Sequence, residues 1–495
     1  MDFSATAILL LLVAITWLIF TYARMLAERR QLPPGPRPLP LIGNLLHVKL
    51  NDIVRSLMEL HKKYGPVYTI YLGNKPCLVL CGYGAMKEAL IDHADDFADR
   101  GVYPVFLSCT KGQGIAFNNG EKWKELRRFS LTTLRNFGMG KRSIEERIQE
   151  EAQFLVKEFK NTKMAPIEPT IYFSRTVSNI ICSVVFGKRF QYDDQRLLDI
   201  VNSIGGNFQI MSNTWGTMYN IYPDIMNYLP GLHQRIFTNF NKISKVILDG
   251  IKSHLRTHDP NCPRDYMDCF ITKMTEEKNK PLPYFNDMSM LMSIQNLLFG
   301  GTETVSTTLR YGFLILMKYP QITLKMQEEI DNVVGPNRSP SFDDRSKMPY
   351  TDAVIHEIQR FTDVIPLSLP RSVTRDITFR GYNIPKGTYV IPLLTSVHYD
   401  ATMFKNPEVF DPQHFLDDKG SFKKNDALMP FAAGKRVCPG ESMAKMELFL
   451  YFTTILQNFT FKPLVAPEEI DLTPIGSGLG NVPVDYKCCI IPRQC

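Results

Sequence analysis

The sequence predicts a mainly α-helical domain with a minor β-sheet region, preceded by one N-terminal transmembrane helix. Three observations carry this. An uncharged run opens the chain, from Phe3 to Tyr22. Apolar residues recur at helical spacing through most of the remainder, and the candidate strands are few and short. One helical pattern, from Asn286 to about Met317, runs for about 48 Å at 1.5 Å per residue and is long enough to cross a domain alone. The composition of the 495 residues, 44% hydrophobic and 22% charged, suits a large core and excludes a disordered or fibrous chain. A net charge of +7 and a pI near 8.7 favour no particular partner.

The opening run matches a bilayer's hydrocarbon core, which takes about 20 helical residues. Arg24, Arg29 and Arg30 follow it and only Asp2 precedes it, so the positive-inside rule places the rest of the chain in the cytosol. A cleaved signal peptide is the alternative. The missing basic n-region, the length of the run and the lack of a small-residue cleavage site argue against it. Residues 1–22 are therefore assigned as a membrane anchor and residues 23–50 as a basic, proline-rich linker. Within that linker Leu32–Pro40, L-P-P-G-P-R-P-L-P, reads as an extended spacer. Residues 51–495 show no second linker, repeat or low-complexity tract and form one domain.

Among the strand candidates, V-Y-T-I-Y-L and C-L-V-L-C lie between residues 67 and 81, joined by G-N-K-P as a hairpin turn. Two more fall at about 377–385 and 388–393. The long helix has Asn286 as its N-cap and Pro320 as its stop. Its middle reads F-G-G-T-E-T, Phe299 to Thr304. Each glycine inside a helix costs roughly 1 kcal/mol against alanine. Either a flat ligand approaches the backbone there and meets Thr302, Glu303 and Thr304, or the glycines permit a kink or a close helix crossing.

Ten cysteines are scattered along the chain without paired zinc spacing or the density of a disulfide scaffold. Cys438 stands apart. It lies in F-A-A-G-K-R-V-C-P-G, Phe431 to Gly440, just ahead of a helical stretch. A helix N-terminus and the cations Lys435 and Arg436 are expected to lower its thiol pKa, as a metal ligand requires. Gly434 and Gly440 are expected to let the backbone fold around a large planar group. A buried structural thiol is the alternative.

The fixed positions Phe431, Gly434, Arg436, Cys438 and Gly440 resemble the haem-binding signature of the cytochrome P-450 superfamily. Other segments resemble it in order and spacing. Glu357 and Arg360 form an E-x-x-R pair, and Pro412–Phe415 resembles the loop that locks it; a surface i,i+3 ion pair is the alternative. W-K-E-L-R, with Trp123 and Arg127, looks like the helix that binds a haem propionate, and Arg100, Arg371 and Arg436 would join it. G-G-T-E-T is similar to the oxygen-binding groove, with Thr304 and Glu303 as its acid–alcohol pair. Details such as L-R-N-F-G-M-G-K-R-S-I-E-E-R look most like the microsomal family-two enzymes of vertebrates. Gly300 departs from the usual alanine, and Val305 from the usual threonine or serine.

The resemblance implies a cytochrome P-450 fold with the long central helix over haem b, held through Cys438. It implies insertion of one oxygen atom of dioxygen into a lipophilic small molecule such as a xenobiotic, fatty acid or steroid-like compound. It places the protein in the endoplasmic reticulum membrane, by a single-pass N-terminal anchor. Electrons would come from NADPH through NADPH-cytochrome P-450 reductase, with a b-type cytochrome as a second partner. No nucleotide-binding strand–G-x-G-x-x-G–helix unit is present; G-S-G-L-G at 476–480 lacks the helix. Lys124, Arg128, Arg135, Lys141, Lys435 and Lys445 are candidates for the reductase-docking face, or ordinary solvated charge. By position the substrate pocket would be lined by Ala116, Phe117, Phe208, Ile210 and Leu297, with Gly301, Pro366, Leu367, Leu369 and Leu479. Two rivals remain at this stage: a reductase-independent haem-thiolate isomerase or dehydratase, and a non-catalytic membrane haem sensor. Neither needs the Thr304–Glu303 pair.

Overall fold

The computed structural model describes residues 3–140, 142–281 and 283–493, with side chains from Thr6 onward. The N-terminal helix α1 spans Phe3–Arg29, and an 18-residue window of it has a mean hydropathy of 2.3 and no residue buried against the rest of the chain. It continues beyond Tyr22 into the segment assigned to the linker. The proline-rich segment is not a free spacer. Pro34 accepts a hydrogen bond from Thr69 N at 2.9 Å, and Tyr71 N donates to Asn44 Oδ1 at 2.7 Å. A Cβ on Gly35 would lie 1.8 Å from the Thr69 carbonyl oxygen. Proline, lacking an N–H, suits a strip that lies along a sheet edge chiefly as an acceptor.

The predicted hairpin forms from β1 (Val67–Leu72) and β2 (Lys75–Leu80), paired from Val67↔Leu80 to Leu72↔Lys75. The two-residue strands β3 (Asp99–Arg100) and β4 (Arg371–Ser372), together with β5 (Tyr389–Pro392), complete a sheet of order β1-β2-β5-β4-β3. The segment near 377–385 forms a separate hairpin, Ile377–Phe379 with Tyr382–Ile384. Sequence reading missed β3, β4 and the C-terminal pair Phe459–Pro463 with Cys488–Pro492. The first two are too short to show an alternating pattern.

Seven helices frame the site. They are α2 (Gly120–Asn136), α3 (Thr170–Val185), α4 (Gln195–Ser212), α5 (Gln234–Thr257), α6 (Asp287–Lys318), α7 (Pro349–Thr362) and α8 (Glu441–Asn458). The long helix α6 starts where the sequence predicts, with Asn286 Oδ1 accepting from Ser289 N at 3.0 Å. It is buried along most of its length and packs on α3, α4, α5, α7 and α8. Its two mid-helix glycines both line a cavity, and one of them also serves a close crossing. A Cβ on Gly301 would sit 3.1 Å from Ile181 of α3, so Gly301 permits a close crossing. Gly300 has nothing within 4 Å and opens on a cavity.

Candidate functional site

The cavity, of about 310 Å³, lies between α6 and the Cys438 loop. The loop closes on itself, with Cys438 N donating to Phe431 O at 3.0 Å. Gly434 has a φ of +71°, and a Cβ there would lie 1.7 Å from the Leu90 carbonyl oxygen. That glycine is needed for packing against Leu90 rather than for approach to a planar group. Gly440, the N-cap of α8, has a φ of −95° that any residue adopts. Phe431, Cys438 and Gly440 all line the cavity.

The environment of the thiol differs from the sequence expectation. Burial pushes the Cys438 pKa up, against the lowering effects of the Gly440 N–H, Arg127 and Arg100. Lys435, expected to help, instead points outward to Asp95 at 3.1 Å. Desolvation of the thiolate outweighs the nearby donors until a cation partners it directly.

Around that thiol stand four guanidiniums and an indole. Arg100 donates to the carbonyls of Ala116 and Leu369, both at 3.1 Å, and Arg371 to that of Ala433 at 3.1 Å. Arg127 donates to the Val437 carbonyl. Arg436 reaches Ala98 O at 2.7 Å and Asn118 O at 2.8 Å, and stacks 3.5 Å from the centre of the Trp123 ring. Burial and mutual repulsion lower the pKa of Arg100 to about 9 and of Arg436 to about 8, and that of Arg371 well below its ordinary value. Trp123 Nε1, Arg371 Nε and Arg436 Nη1 are buried without a partner. None of the four arginines has a carboxylate partner among the described residues. A haem, with two carboxylates and an iron that takes a thiolate, supplies both missing complements, so these residues fit that group.

On the opposite wall, the Thr304 hydroxyl donates to Gly300 O at 2.8 Å and lines the cavity. Glu303 does not line it. One residue is a 100° turn of the helix, and the Glu303 carboxyl instead accepts from Thr307 Oγ1 at 3.0 Å. Burial pushes its pKa up, opposed by Thr307 and Arg310.

Of the expected pocket residues, Ala116, Phe117, Phe208, Leu297, Gly301, Leu369 and Leu479 line the cavity. Three do not. Ile210 sits two residues beyond Phe208 on α4 and points elsewhere; Leu367 packs against the sheet-side core; and Pro366 accepts from Leu394 N at 2.7 Å. Sequence reading missed the aromatic roof. Phe106 stacks on Phe117 at 4.2 Å and meets Phe240 and Phe299 edge-on at 6.1 and 5.9 Å. It also missed Asn296, whose Oδ1 accepts from Ile115 N and Ala116 N, both at 3.1 Å, and fixes that lining loop. A signal was present for Phe299, which adjoins the glycines.

Glu357 and Arg360 are fully buried, not a surface pair. Arg360 forks onto Glu357 at 2.6 and 2.7 Å and donates to the carbonyls of His398, Pro407 and Val409. From the expected loop, His414 Nδ1 meets Glu357 Oε2 at 3.1 Å and its Nε2 meets Lys405 O at 2.6 Å. Of the docking-face candidates, Lys124, Arg128 and Lys445 pair with neighbouring glutamates on their own helices, and Arg135 is exposed. Lys141 lies outside the described residues.

Comparison with known proteins gives one answer. A family model described as Cytochrome P450 matches residues 33–490. Cytochrome P450 2F2 of Mus musculus is 59% identical over 460 residues, covering 93% of this chain and 94% of that protein. Cytochrome P450 2F1 of Homo sapiens is 56% identical over 493 residues, the full length of both. Cytochrome P450 2G1 of Oryctolagus cuniculus is 52% identical over 491 residues, 99% of this chain and 98% of that one.

Proposed function

The chain belongs to the cytochrome P450 family and is a haem monooxygenase, and from that premise we propose that it oxidises a lipophilic small molecule, drawing electrons from NADPH through a partner reductase at the endoplasmic reticulum membrane. The observation that carries this reading is one cavity on which Cys438, Thr304, Trp123, Arg100, Arg127 and Arg436 all open. Bound haem b supplies dioxygen binding and C–H oxidation, chemistry the protein side chains lack.

The residues divide the remaining work. Cys438 Sγ would ligate the iron, and the Gly440 N–H would stabilise the resulting thiolate. Arg100, Arg127, Trp123 and Arg436 would bind the haem carboxylates, with Arg371 behind them. Thr304 Oγ1 would hold and pass a proton towards the reacting oxygen. Glu303, whose pKa burial raises, would resupply it after leaving Thr307. The aromatic roof would exclude water and orient an apolar substrate. Glu357, Arg360 and His414 tie α7 to the segment between His398 and His414, outside the cavity. The exposed basic residues of α2, with Lys435 and Lys445, would meet an acidic reductase, with a b-type cytochrome as a second donor.

The test is the carbon monoxide difference spectrum of the reduced protein, for wild type and Cys438→His. A strongly red-shifted Soret band in wild type, lost in the variant, is expected. A histidine-like band in both would remove Cys438 as the ligand and the mechanism with it. NADPH consumption with added reductase should then fall as salt rises; salt-insensitive reduction would refute the docking face.

A further inference from the structure

Outside the cavity, two histidines and two aspartates meet where α5 ends. His254 lies in the last turn of α5, and His258 follows it by one turn at the helix C-cap. Asp265 and Asp268 are the N-cap and third residue of the short helix Tyr266–Glu277. The ligand atoms of His254, Asp265 and Asp268 lie within 4.8 Å of one another, and His258 Nδ1 lies 3.5 Å from Asp268 Oδ1. None of the four side chains is more than 12% exposed.

The hydrogen bonds on the far side of each ring fix where its lone pair points. His254 Nδ1 lies 2.8 Å from the Gly250 carbonyl and donates to it, because a carbonyl only accepts. In the neutral ring, Nε2 then presents its lone pair to Asp265 Oδ2 at 2.6 Å. Thr272 Oγ1 directs its own proton to Asp268 O at 3.1 Å, so His258 Nε2 donates to that hydroxyl at 3.2 Å. His258 Nδ1 is left as an acceptor that faces a carboxylate, buried and without a partner. Two imidazole lone pairs thus meet two carboxylates. Arg264 serves Asp268 from the side, at 2.6 and 3.0 Å, and is about half exposed.

A cation satisfies this arrangement, either a proton on each ring or one metal ion shared by all four groups. The distances separate the two. At 2.6 Å a proton fits between His254 and Asp265, but 3.5 Å between His258 and Asp268 exceeds the N–H···O range of about 2.7–3.2 Å. A tetrahedral zinc ion with arms of about 2.0–2.1 Å spaces its ligands by about 3.4 Å. The second pair already has that spacing, and the first would open by about 0.8 Å to reach it. Imidazoles bound to metal also donate their second N–H to a carbonyl or similar acceptor, as both rings do here. Two nitrogens and two carboxylate oxygens suit zinc, whereas calcium and magnesium take all-oxygen shells.

We propose that His254, His258, Asp265 and Asp268 form a structural site for one zinc ion, separate from the haem iron. Four protein ligands leave the ion no open position, so it does no chemistry. It ties the end of α5 to the short helix, whose Tyr266 hydroxyl meets Ser130 of α2 at 2.8 Å. That helix α2 also carries Trp123 and Arg127 of the haem site. The zinc site does not depend on the monooxygenase reading.

The test uses the haem-loaded full chain, treated with a chelator that leaves the haem iron in place, then equilibrated with zinc chloride. Metal analysis should return one zinc per haem iron against about 1 μM free zinc. X-ray absorption at the zinc edge should show four nitrogen and oxygen neighbours at about 2.0–2.1 Å, two of them imidazoles. His258→Leu should lose one imidazole from that shell and the stoichiometric zinc with it. Thr272→Val, which removes the hydroxyl that orients His258, should weaken zinc binding roughly tenfold or more. Zinc-free His258→Leu should melt with wild type, since Nδ1 has no partner to lose. Free zinc at about 100 times its Kd should raise the wild-type melting temperature by about 3 °C and leave the variant's unchanged. The carbon monoxide band verifies that each variant holds haem, and His258→Gln repeats the test if leucine prevents this. Absence of stoichiometric zinc overturns the site and leaves protons as the occupants. Zinc bound without imidazole, or retained by His258→Leu in an unchanged shell, places the ion elsewhere and overturns it equally.

Discussion

Replacing Arg360 with leucine should unfold far more than a surface ion pair would predict. The guanidinium makes two charge-assisted bonds to Glu357, at 2.6 and 2.7 Å, and reaches the carbonyls of His398 and Pro407 at 2.8 Å and of Val409 at 3.2 Å. Neither Arg360 nor Glu357 has exposed side-chain surface. Removing one partner of a buried pair costs about 3–5 kcal/mol, because the other charge stays buried. Each stranded carbonyl adds up to about 1 kcal/mol, while His414 on Glu357 returns part of the loss. A net cost of about 4 kcal/mol follows. At roughly 2.1 cal/mol/K of unfolding entropy per residue, a chain of this size loses about 1 °C per kcal/mol, so the melting temperature of the haem-loaded protein should fall by about 4 °C. Far-UV circular dichroism measures it, beside Arg128→Leu as a control. Arg128 pairs with Glu125 in solvent, where such a pair is worth about 0.2–1 kcal/mol. If the two variants melt together, the buried network does not hold this part of the fold.

Three other outcomes follow from the same geometry. Burial opposes the charge on His414, but its bonds to Glu357 and Lys405 O prevail and raise its pKa above the usual 6.5. It therefore contributes stability that is fully present below about pH 6.5, and lost as pH rises through the higher folded value. The melting temperature of His414→Gln should accordingly depend less on pH across that window than wild type's does. Arg436→Leu removes one charge-assisted contact to a haem carboxylate, about 1.5–3 kcal/mol, and should speed haem transfer to an apoglobin acceptor by roughly 10–100-fold; an unchanged rate would count against the propionate assignment. Gly300→Ala should be tolerated, since a Cβ there meets nothing within 4 Å, whereas Gly301→Ala must displace Ile181 from 3.1 Å. Equal melting temperatures for the pair would refute that division of roles.

What the sequence disclosed was chemistry held within a few consecutive residues. The Cys438 loop spans ten positions, α6 announces its cap and its stop, and the β1–β2 turn lies in one tetrapeptide. Cavity shape was legible only in part, because it depends on which face of a distant helix turns inward. Phe208 lines the cavity and Ile210 does not, although they are two residues apart on α4. Phe106, Phe240 and Phe299 meet only after three separate segments pack. Charge was misread for a related reason: Lys435 is adjacent to the loop in sequence yet bonds Asp95 outside it, while Arg100 and Arg127, far away in sequence, face the thiol.

That last reversal bears on how the fold is stabilised. Four guanidiniums with lowered pKa values and a thiol with a raised one are buried together, and no carboxylate among the described residues forms an ion pair with the cluster. Burial works against charge at both poles of this site, so the polypeptide alone is held in an electrostatically unfavourable arrangement. A bound dicarboxylate with a cationic metal reverses the sign of both terms at once. Because it binds the folded chain and has no such cluster to bind in the unfolded one, it stabilises the fold by mass action. Cofactor retention and folding stability should therefore move together in variants of Arg100, Arg371 and Arg436, and separately in variants of the aromatic roof, which touches neither pole.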